Sequence, residues 1–311
     1  MKKIAALLTC FNRKDKTISC LKSLFAAELE YNSKESTDDA VDIHVYITDD
    51  GCIDGTADAI RKTFPDYYIT IIQGSGSLFY NGGMRLAWKY ALKEGGFDFY
   101  LLMNDDTDVL DNLFEELFKT HEYCLKNYLV AGIYSGCTTS KENFNKTTYG
   151  GTVYINKFLN ISKRLDPIGI PQMIDVANAN ILMVHATVVD KIGIFFDKYI
   201  QCLADYDYSL VAKKNKIPVL LTASYCGRCS NDHTFSLDRY SKMSFAERKK
   251  MLFSPFGFYA KERLIFIRRH FWYRYPFIAA EMWIKLYFPD LHIVLLKFTH
   301  ALRFERVETN K

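Results

Sequence analysis

An apolar run that ends in two adjacent carboxylates is the part of this sequence best suited to chemistry. Residues 101–107 read Leu-Leu-Met-Asn-Asp-Asp-Thr, so a buried strand would carry Asp105 and Asp106 to one edge of a sheet. Ligands of α/β proteins bind at the carboxyl edge of parallel strands. Carboxylate oxygens suit Mg²⁺ or Mn²⁺. We therefore expect a divalent-cation site here, with capping of a helix over residues 110–125 as the alternative.

Two further acid pairs repeat this pattern. Asp49 and Asp50 follow an apolar run over residues 43–48, and Asp205 and Asp207 open a helical pattern over residues 205–214. A carboxylate at the end of a strand can accept a hydrogen bond from a nucleotide base or a sugar hydroxyl. The alternatives are an ordinary turn with a helix cap for the first pair, and a response to the helix dipole for the second.

The elements that position these acids follow from hydrophobic periodicity. Strands are predicted over residues 4–10, 43–48, 68–73 and 97–103, with helices over residues 16–27, 54–60 and 84–92 between them. This alternation predicts a parallel, doubly wound sheet within the first 110 residues. Residues 31–40 are polar and acidic, which predicts a loop. Later segments predict a helix over residues 110–125 and strands over residues 178–184 and 218–223.

Composition narrows the class of protein. The 311 residues carry a net charge of only +4, which argues against nucleic acid as a partner. The eight cysteines are scattered, a pattern typical of reduced thiols in a cytoplasmic protein. The sequence shows neither a signal peptide nor an apolar stretch long enough to span a bilayer. We expect a cytoplasmic protein.

Taken in order, these motifs resemble family 2 glycosyltransferases. The shared elements, covering about residues 1–235, are Thr9-Cys10-Phe11-Asn12-Arg13, the stretch Asp49–Thr56 with Cys52 in place of a serine, the glycine-containing segment Gly74–Ala91, the strand end Leu101–Thr107 and Ala204–Asp207. The segment Gly76–Arg85 is most similar to the rhamnosyltransferase-like branch. The resemblance implies an α/β GT-A fold, with a Rossmann-like, mixed but mainly parallel sheet, flanking helices and a helical C-terminal extension.

The resemblance also implies roles for individual residues. Asp106 would be the direct ligand of Mn²⁺ or Mg²⁺, and Asp205 would be the general base that deprotonates the acceptor hydroxyl. The donor would contact the residues Thr9, Asn12, Arg13, Asp49, Asp50, Gly82, Arg85, Asn104 and Asp105. Within this set Asp49 would bind the base N–H, and Arg85 would bridge the diphosphate unless it is a solvated helix arginine.

Two acids of the family's pattern are also replaced here. Asn104 stands where relatives have the first acid of the metal motif, and Ala204 replaces the glutamate that precedes the base. His233 would be a metal or diphosphate ligand, with a surface-loop histidine as the alternative. Cys226, Cys229 and His233 have some of the spacing of a zinc site, but a structural zinc site needs four ligands and the sequence offers no partner pair.

The predicted activity is that of a metal-dependent inverting glycosyltransferase. It would move a sugar, with rhamnose as a candidate, from a dTDP- or UDP-sugar to a glycan or lipid-linked glycan during synthesis of a cell-surface polysaccharide. One alternative is a nucleotidyltransferase, which would need a glycine-rich basic loop that residues 9–16 do not provide. Another is a catalytically degenerate scaffold that binds glycan or nucleotide.

The C-terminal part of the sequence changes texture near residue 254. From there it is rich in aromatic and basic residues. We expect a catalytic domain over residues 1–254, with a nucleotide-binding half (1–110) and an acceptor half (111–254), followed by a helical extension over residues 255–311. The extension predicts either peripheral contact with the inner face of the cell membrane, or helices that pack on the catalytic domain or form a homodimer interface.

Overall fold

Strands and helices alternate from the first residues of the computed structural model, which describes residues 1–144, 146–230 and 237–296. The strands are β1 (Lys2–Cys10), β2 (Val41–Asp49), β3 (Ile69–Gln73), β4 (Phe99–Met103), β5 (Asp108–Val109), β6 (Ile133–Thr139), β7 (Thr147–Tyr149), β8 (Gly151–Asn156), β9 (Ile161–Arg164), β10 (Gln172–Met173), β11 (Val176–Ala177), β12 (Ile181–His185) and β13 (Val219–Arg228). The helices are α1 (Lys14–Lys34), α2 (Thr56–Thr63), α3 (Phe79–Glu94), α4 (Leu113–Tyr128), α5 (Ala186–Ile192), α6 (Ala204–Lys214), α7 (Leu237–Ser241), α8 (Phe245–Phe253), α9 (Ala260–His270) and α10 (Tyr275–Tyr287).

The main sheet has the strand order β10-β13-β6-β12-β4-β1-β2-β3. The pairs β1–β2, β1–β4 and β2–β3 are parallel, so the first four strands point the same way. Cys10 pairs with Asp49, and Asp49 pairs with Gln73. Three strands therefore end side by side, and their carboxyl ends form one edge, as the spacing of the acids predicts.

The central strands are buried on both faces because helices cover the sheet. Ile4, Leu8, Leu101 and Met103 have no exposed surface, which explains why β1 and β4 are continuous apolar runs instead of alternating ones. The predicted α/β class with a mainly parallel sheet is confirmed.

Strand β12 reverses the direction of the sheet between β4 and β6. Ile181 pairs with Met103 and Leu182 with Ser135, both antiparallel. The residues that precede β12 therefore run beside the carboxyl end of β4, where the Asn104 amide donates to the Asn180 carbonyl (3.3 Å). This reversal brings residues 178–180 to the acid-bearing edge.

The loop predicted over residues 31–40 is wrong in its first part. Helix α1 continues to Lys34, because Tyr31 is buried and its ring packs against Phe114 and Phe118 at centroid distances of 6.0 and 5.6 Å. Burial of this ring outweighs the polar neighbours that make the segment look like a loop.

The chain divides into two compact units. The first contains residues 1–153, 163–200 and 204–231, and the second contains residues 154–162, 201–203 and 232–311. The second unit contains α7 to α10. The domain boundary predicted at residue 254 stays a prediction, since grouping by contacts does not establish which segments fold alone. No helix among the described residues combines the length and apolar character that crossing a bilayer requires.

Candidate functional site

The ends of β1 and β2 build the first wall of the site. Asp49, 5 % exposed, accepts hydrogen bonds at Oδ1 from the amides of Gly51 (3.1 Å) and Cys52 (2.7 Å). Asn12 adopts a positive φ of 51° and accepts a bond from the Ile53 amide (2.8 Å). Asparagine tolerates this left-handed conformation better than most residues. The loop after β2 is thus fixed against the loop after β1, as a shared pocket requires.

Asp50 stabilises the turn that leads into α3. Its carboxylate, 4 % exposed, accepts hydrogen bonds from the amides of Gly76 (2.8 Å), Leu78 (2.9 Å) and Phe79 (3.0 Å). Phe79 has a positive φ of 55°, which is costly for a bulky residue. The carboxylate therefore holds the turn that starts α3. Its predicted contact with the donor stays a prediction.

Helix α3 packs closely on the ends of β1 and β2. A Cβ atom at Gly83 would lie 2.1 Å from Thr9 Oγ1, and the Thr48 hydroxyl donates to the Gly83 carbonyl (2.8 Å). The neighbouring Gly82 is buried, and a Cβ there would lie 3.1 Å from Leu78 Cβ. The paired glycines let the start of α3 approach Thr9. Thr9 and Gly82, both predicted to contact the sugar donor, therefore lie close together.

The acid pair after β4 is bridged by an arginine from the loop after β1. Arg13 Nη1 lies 3.2 Å from Asp105 Oδ1 and 2.9 Å from Asp106 Oδ2. The Thr17 hydroxyl also donates to Asp105 (3.3 Å). Burial raises the pKa of Asp105 to about 6, against the opposing charge of Arg13. Sequence reasoning missed Thr17, which sits one turn into α1.

The residues after β4 offer a donor set that a divalent cation would accept. The Asn104 Oδ1 atom is buried and accepts no hydrogen bond within the described protein. The side chain of Asp106 is 22 % exposed, and Arg13, which covers it, is 45 % exposed. Mg²⁺ is usually held by one or two carboxylates together with substrate phosphates. The set fits such an ion, provided that Arg13 moves aside. The alternative of helix capping fails, because α4 begins at Leu113 after Asn112.

Asp205 lies in the first turn of α6. Its carboxylate accepts hydrogen bonds from the amides of Ala179 (3.2 Å) and Tyr206 (2.8 Å). Burial nevertheless raises its pKa to about 6. A carboxylate that titrates close to neutral pH is well matched to general base catalysis. Its neighbour Asp207 is 2 % exposed and accepts from the Tyr199 hydroxyl (2.9 Å), so it has a structural contact.

Tyr80 binds the same backbone segment as Asp205. Its hydroxyl donates to the Ala179 carbonyl (3.2 Å), the residue whose amide binds Asp205. Burial, together with the charges of Asp205, Asp105 and Asp106, raises the pKa of Tyr80 well above its usual value. The segment 179–180 therefore links Tyr80 and Asp205 to the end of β4, where the Asn104 amide donates to the Asn180 carbonyl. Sequence reasoning missed Tyr80, although it lies inside the segment Gly76–Arg85.

Arg85 is bound to backbone and is not a solvated helix arginine. Its Nη1 atom donates to the carbonyls of Phe196 (3.3 Å) and Tyr199 (2.5 Å), and the amide of Asn81 donates to the Ile200 carbonyl (2.8 Å). Helix α3 thereby fixes the segment 196–200 that precedes α6. The predicted contact of Arg85 with the diphosphate stays a prediction.

The other predicted metal ligands are His233 and the cysteines near it. His233 falls outside the described residues. Cys229 is buried with its Sγ atom 3.7 Å from Asp106 Oδ1, next to the acid pair. Among the described residues, the ligand atoms of Cys10, Asp49 and Cys52 lie within 4.8 Å of one another. Burial raises the pKa of both these thiols, which keeps them protonated near neutral pH.

Comparisons with known proteins give a fold. No protein-family model matches the sequence, and no curated protein matches it. Solved structures of S. aureus TarS residues 1–349 are similar at 14 % identity, covering 81 % of this chain and 66 % of that one, with a TM-score of 0.50. Its complex with UDP is 12 % identical, with 78 % of this chain and 63 % of that one covered and a TM-score of 0.51. Its complex with UDP-GlcNAc is 13 % identical, with 81 % and 67 % covered and a TM-score of 0.50. The chain spans slightly less than two thirds of that 1–349 fragment and 40 % of the full TarS chain. The GT-A fold predicted from the motifs is confirmed.

Proposed function

We propose that this protein is an inverting glycosyltransferase that uses a nucleotide-diphosphate sugar. The observation that carries the proposal is that residues 179–180 join the two acidic groups, since the Ala179 amide donates to Asp205 and the amide of Asn104, next to Asp105 and Asp106, donates to the Asn180 carbonyl. A carboxylate that can accept a proton and an acid pair that can bind a cation are the two groups this reaction needs on opposite sides of the transferred sugar. The likeness to a fold that binds UDP and UDP-GlcNAc in TarS supports the same donor class here.

The donor would lie along the edge formed by β1, β2 and the start of α3. Asp49, Asn12 and Thr9 would line the end where the base binds, beside the loop that Asp50 holds. Mn²⁺ or Mg²⁺ held by Asp106 and Asp105 would neutralise charge on the diphosphate. Arg13, displaced from these carboxylates, can then pair with a phosphate oxygen.

The acceptor would lie on the side of Asp205. Its hydroxyl proton passes to the Asp205 carboxylate while the hydroxyl oxygen bonds to the anomeric carbon. The bond from that carbon to the diphosphate oxygen breaks, and the nucleoside diphosphate leaves with the electron pair. Attack from the face opposite the leaving group inverts the configuration. The pKa of about 6 leaves the carboxylate ionised at neutral pH but basic enough to receive the proton.

The substrates are proposed from the sequence resemblance. Uracil and thymine offer the same N–H to Asp49, so UDP- and dTDP-sugars are both candidates, with rhamnose as the candidate sugar. A glycan or lipid-linked glycan of a cell-surface polysaccharide is the proposed acceptor.

A thermal-shift panel of nucleotide sugars with Mn²⁺ or Mg²⁺ tests the proposal, because a bound ligand stabilises the folded chain by an amount that grows with the logarithm of its affinity. We expect one UDP- or dTDP-sugar to raise the melting temperature of the full chain and to be hydrolysed slowly without acceptor. Asp205→Asn should abolish turnover and leave the shift in place, whereas Asp190→Asn, at an exposed helix position, should change neither. A panel without any stabilising donor would contradict the proposal, and binding without turnover would indicate a scaffold.

A further inference from the structure

Helices α8 and α10 of the second unit carry exposed aromatic side chains. On α8, Phe245, Lys249 and Phe253 are spaced four residues apart and all are exposed. Residues three or four apart share one side of a helix. On α10, Phe277, Trp283 and Tyr287 are exposed by 66, 64 and 47 %. We call this surface the aromatic face, and its members are Phe245, Lys249, Phe253, Phe277, Trp283 and Tyr287.

The two helices are fixed against each other at this surface. The rings of Phe245 and Tyr287 lie 5.3 Å apart, and Trp283 stacks on Tyr287 at 5.2 Å. Arg248 Nε donates to the Leu286 carbonyl (3.1 Å) on the same pair of helices. The aromatic rings are therefore held in place while they face solvent.

The opposite side of α10 supplies the core of this unit. Ile278, Met282, Lys285 and Leu286 are buried, and the Lys285 ammonium lies over the ring of Phe258. Helix α10 is thus apolar on both sides, although the part of the chain that the structure describes covers only one of them. The exposed apolar character continues into the helical residues 289–296, where Leu291 and Val294 are exposed by 50 and 62 %. An apolar surface of this extent marks an interaction site.

The charge of this unit indicates which partner binds the aromatic face. Over residues 239–296, seven lysines and arginines are exposed against two acids, Glu247 and Asp290. A symmetric dimer would bring the same cations together across its interface, and lysine is depleted from the cores of protein interfaces. An anionic bilayer instead attracts the cations, while the aromatic rings enter the headgroup region and Lys249 extends its amine to the phosphates.

We propose that the aromatic face binds an anionic membrane surface, with α8 and α10 lying in the plane of the interface. The inference is independent of glycosyl transfer and would hold for a scaffold as well.

Vesicle co-sedimentation of the full chain tests the inference. We expect sedimentation with vesicles of phosphatidylcholine and phosphatidylglycerol at 7:3, weak binding to phosphatidylcholine alone, and loss of binding at high salt. The variant Phe277→Ser/Trp283→Ser should bind at least about tenfold more weakly, because the aromatic insertion is lost. Leu29→Ser/Tyr90→Ser, at exposed apolar positions on α1 and α3 (62 and 47 %), is the matched control and should bind like the parent chain.

The charge contribution is tested separately. Lys249→Gln/Lys250→Gln should weaken binding to the anionic vesicles by about thirtyfold, at about 1 kcal/mol for each lysine near the surface. Arg61→Gln/Lys62→Gln on α2 should leave it unchanged. Circular dichroism verifies folding of each variant. Equal binding by the aromatic variant and the parent chain would overturn the inference. So would a dimer in analytical ultracentrifugation that the aromatic variant converts to monomer, since a second copy would then cover the face.

Discussion

Replacing Asp50 with asparagine should destabilise the protein by about 2–4 kcal/mol, although the side chain keeps its size. The carboxylate receives three backbone amides, and a hydrogen bond to a charged acceptor contributes about 1.5–3 kcal/mol. The amide group can accept at only one of its two positions, so at least one N–H loses its partner. Ser75 and Ser77 are exposed, so water can partly replace the lost bonds, which sets the lower limit.

The bonds from Leu78 and Phe79 also hold the positive φ of Phe79. A non-glycine residue in such a conformation costs about 1–3 kcal/mol, which the fold must offset elsewhere. In Asp50→Asn the turn is free to relax, and the first turn of α3 should shift with it. We therefore expect weaker nucleotide binding as a consequence of the lost turn.

Urea unfolding followed by circular dichroism measures the effect. With a dependence of about 2–3 kcal/mol per molar urea, the midpoint should fall by about 1 M. The control is Asp58→Asn, whose side chain is 90 % exposed in a surface ion pair and should change the midpoint little. An Asp50→Asn midpoint equal to that of the control would refute the structural assignment. Weak nucleotide binding without destabilisation would instead identify Asp50 as a direct ligand.

The other predictions concern the catalytic acids. Because the folded pKa of Asp205 (about 6) lies above its ordinary value of 3.8, ionisation costs the folded state stability as pH rises from about 4 to 6. The free energy of unfolding of Asp205→Asn, measured in urea, should therefore exceed that of the parent chain by about 1–3 kcal/mol at pH 8, and the difference should vanish near pH 4. The transfer rate of the parent enzyme should fall about tenfold per pH unit below pH 6, and a flat profile would contradict the base assignment. Asp106→Ala should weaken metal-dependent nucleotide binding in calorimetry, and unchanged titration would count against it as a ligand. Arg13→Ala should tighten Mn²⁺ binding to the nucleotide-free chain, measured by electron paramagnetic resonance, because the competing cation is gone; unchanged affinity would show that Arg13 does not occupy the ion's position.

The first half of the fold follows from local sequence patterns. Apolar runs such as residues 4–10 and 97–103 are long enough to identify buried strands, and the acids that end them could be assigned to a common edge because parallel strands end together. The direction of β12 could not be predicted, since an apolar run carries no information on strand orientation. Strands β7, β9 and β10 are short and partly exposed, so their periodicity is weak.

The site was predictable as a set of residue types and much less as a set of contacts. Asp105, Asp106 and Asp205 could be named because each opens or ends an element. The engagement of Asp50 with residues 76–79 depends on turn geometry, and the bonds from Arg85 to residues 196–199 join segments about 110 positions apart. Tyr80 could not be identified from the sequence, because its contact with Ala179 joins residues 99 positions apart.

The hydrogen bonds from Asn81 and Arg85 to residues 196–200 attach α3 to the segment that leads to Asp205. A donor that tilts the first turn of α3 would move this segment through the same hydrogen bonds and so shift the position of α6. Substrate order would then be built into the polypeptide: occupancy by the nucleotide sugar readies the proton acceptor, and an acceptor arriving first meets a carboxylate that is still out of line.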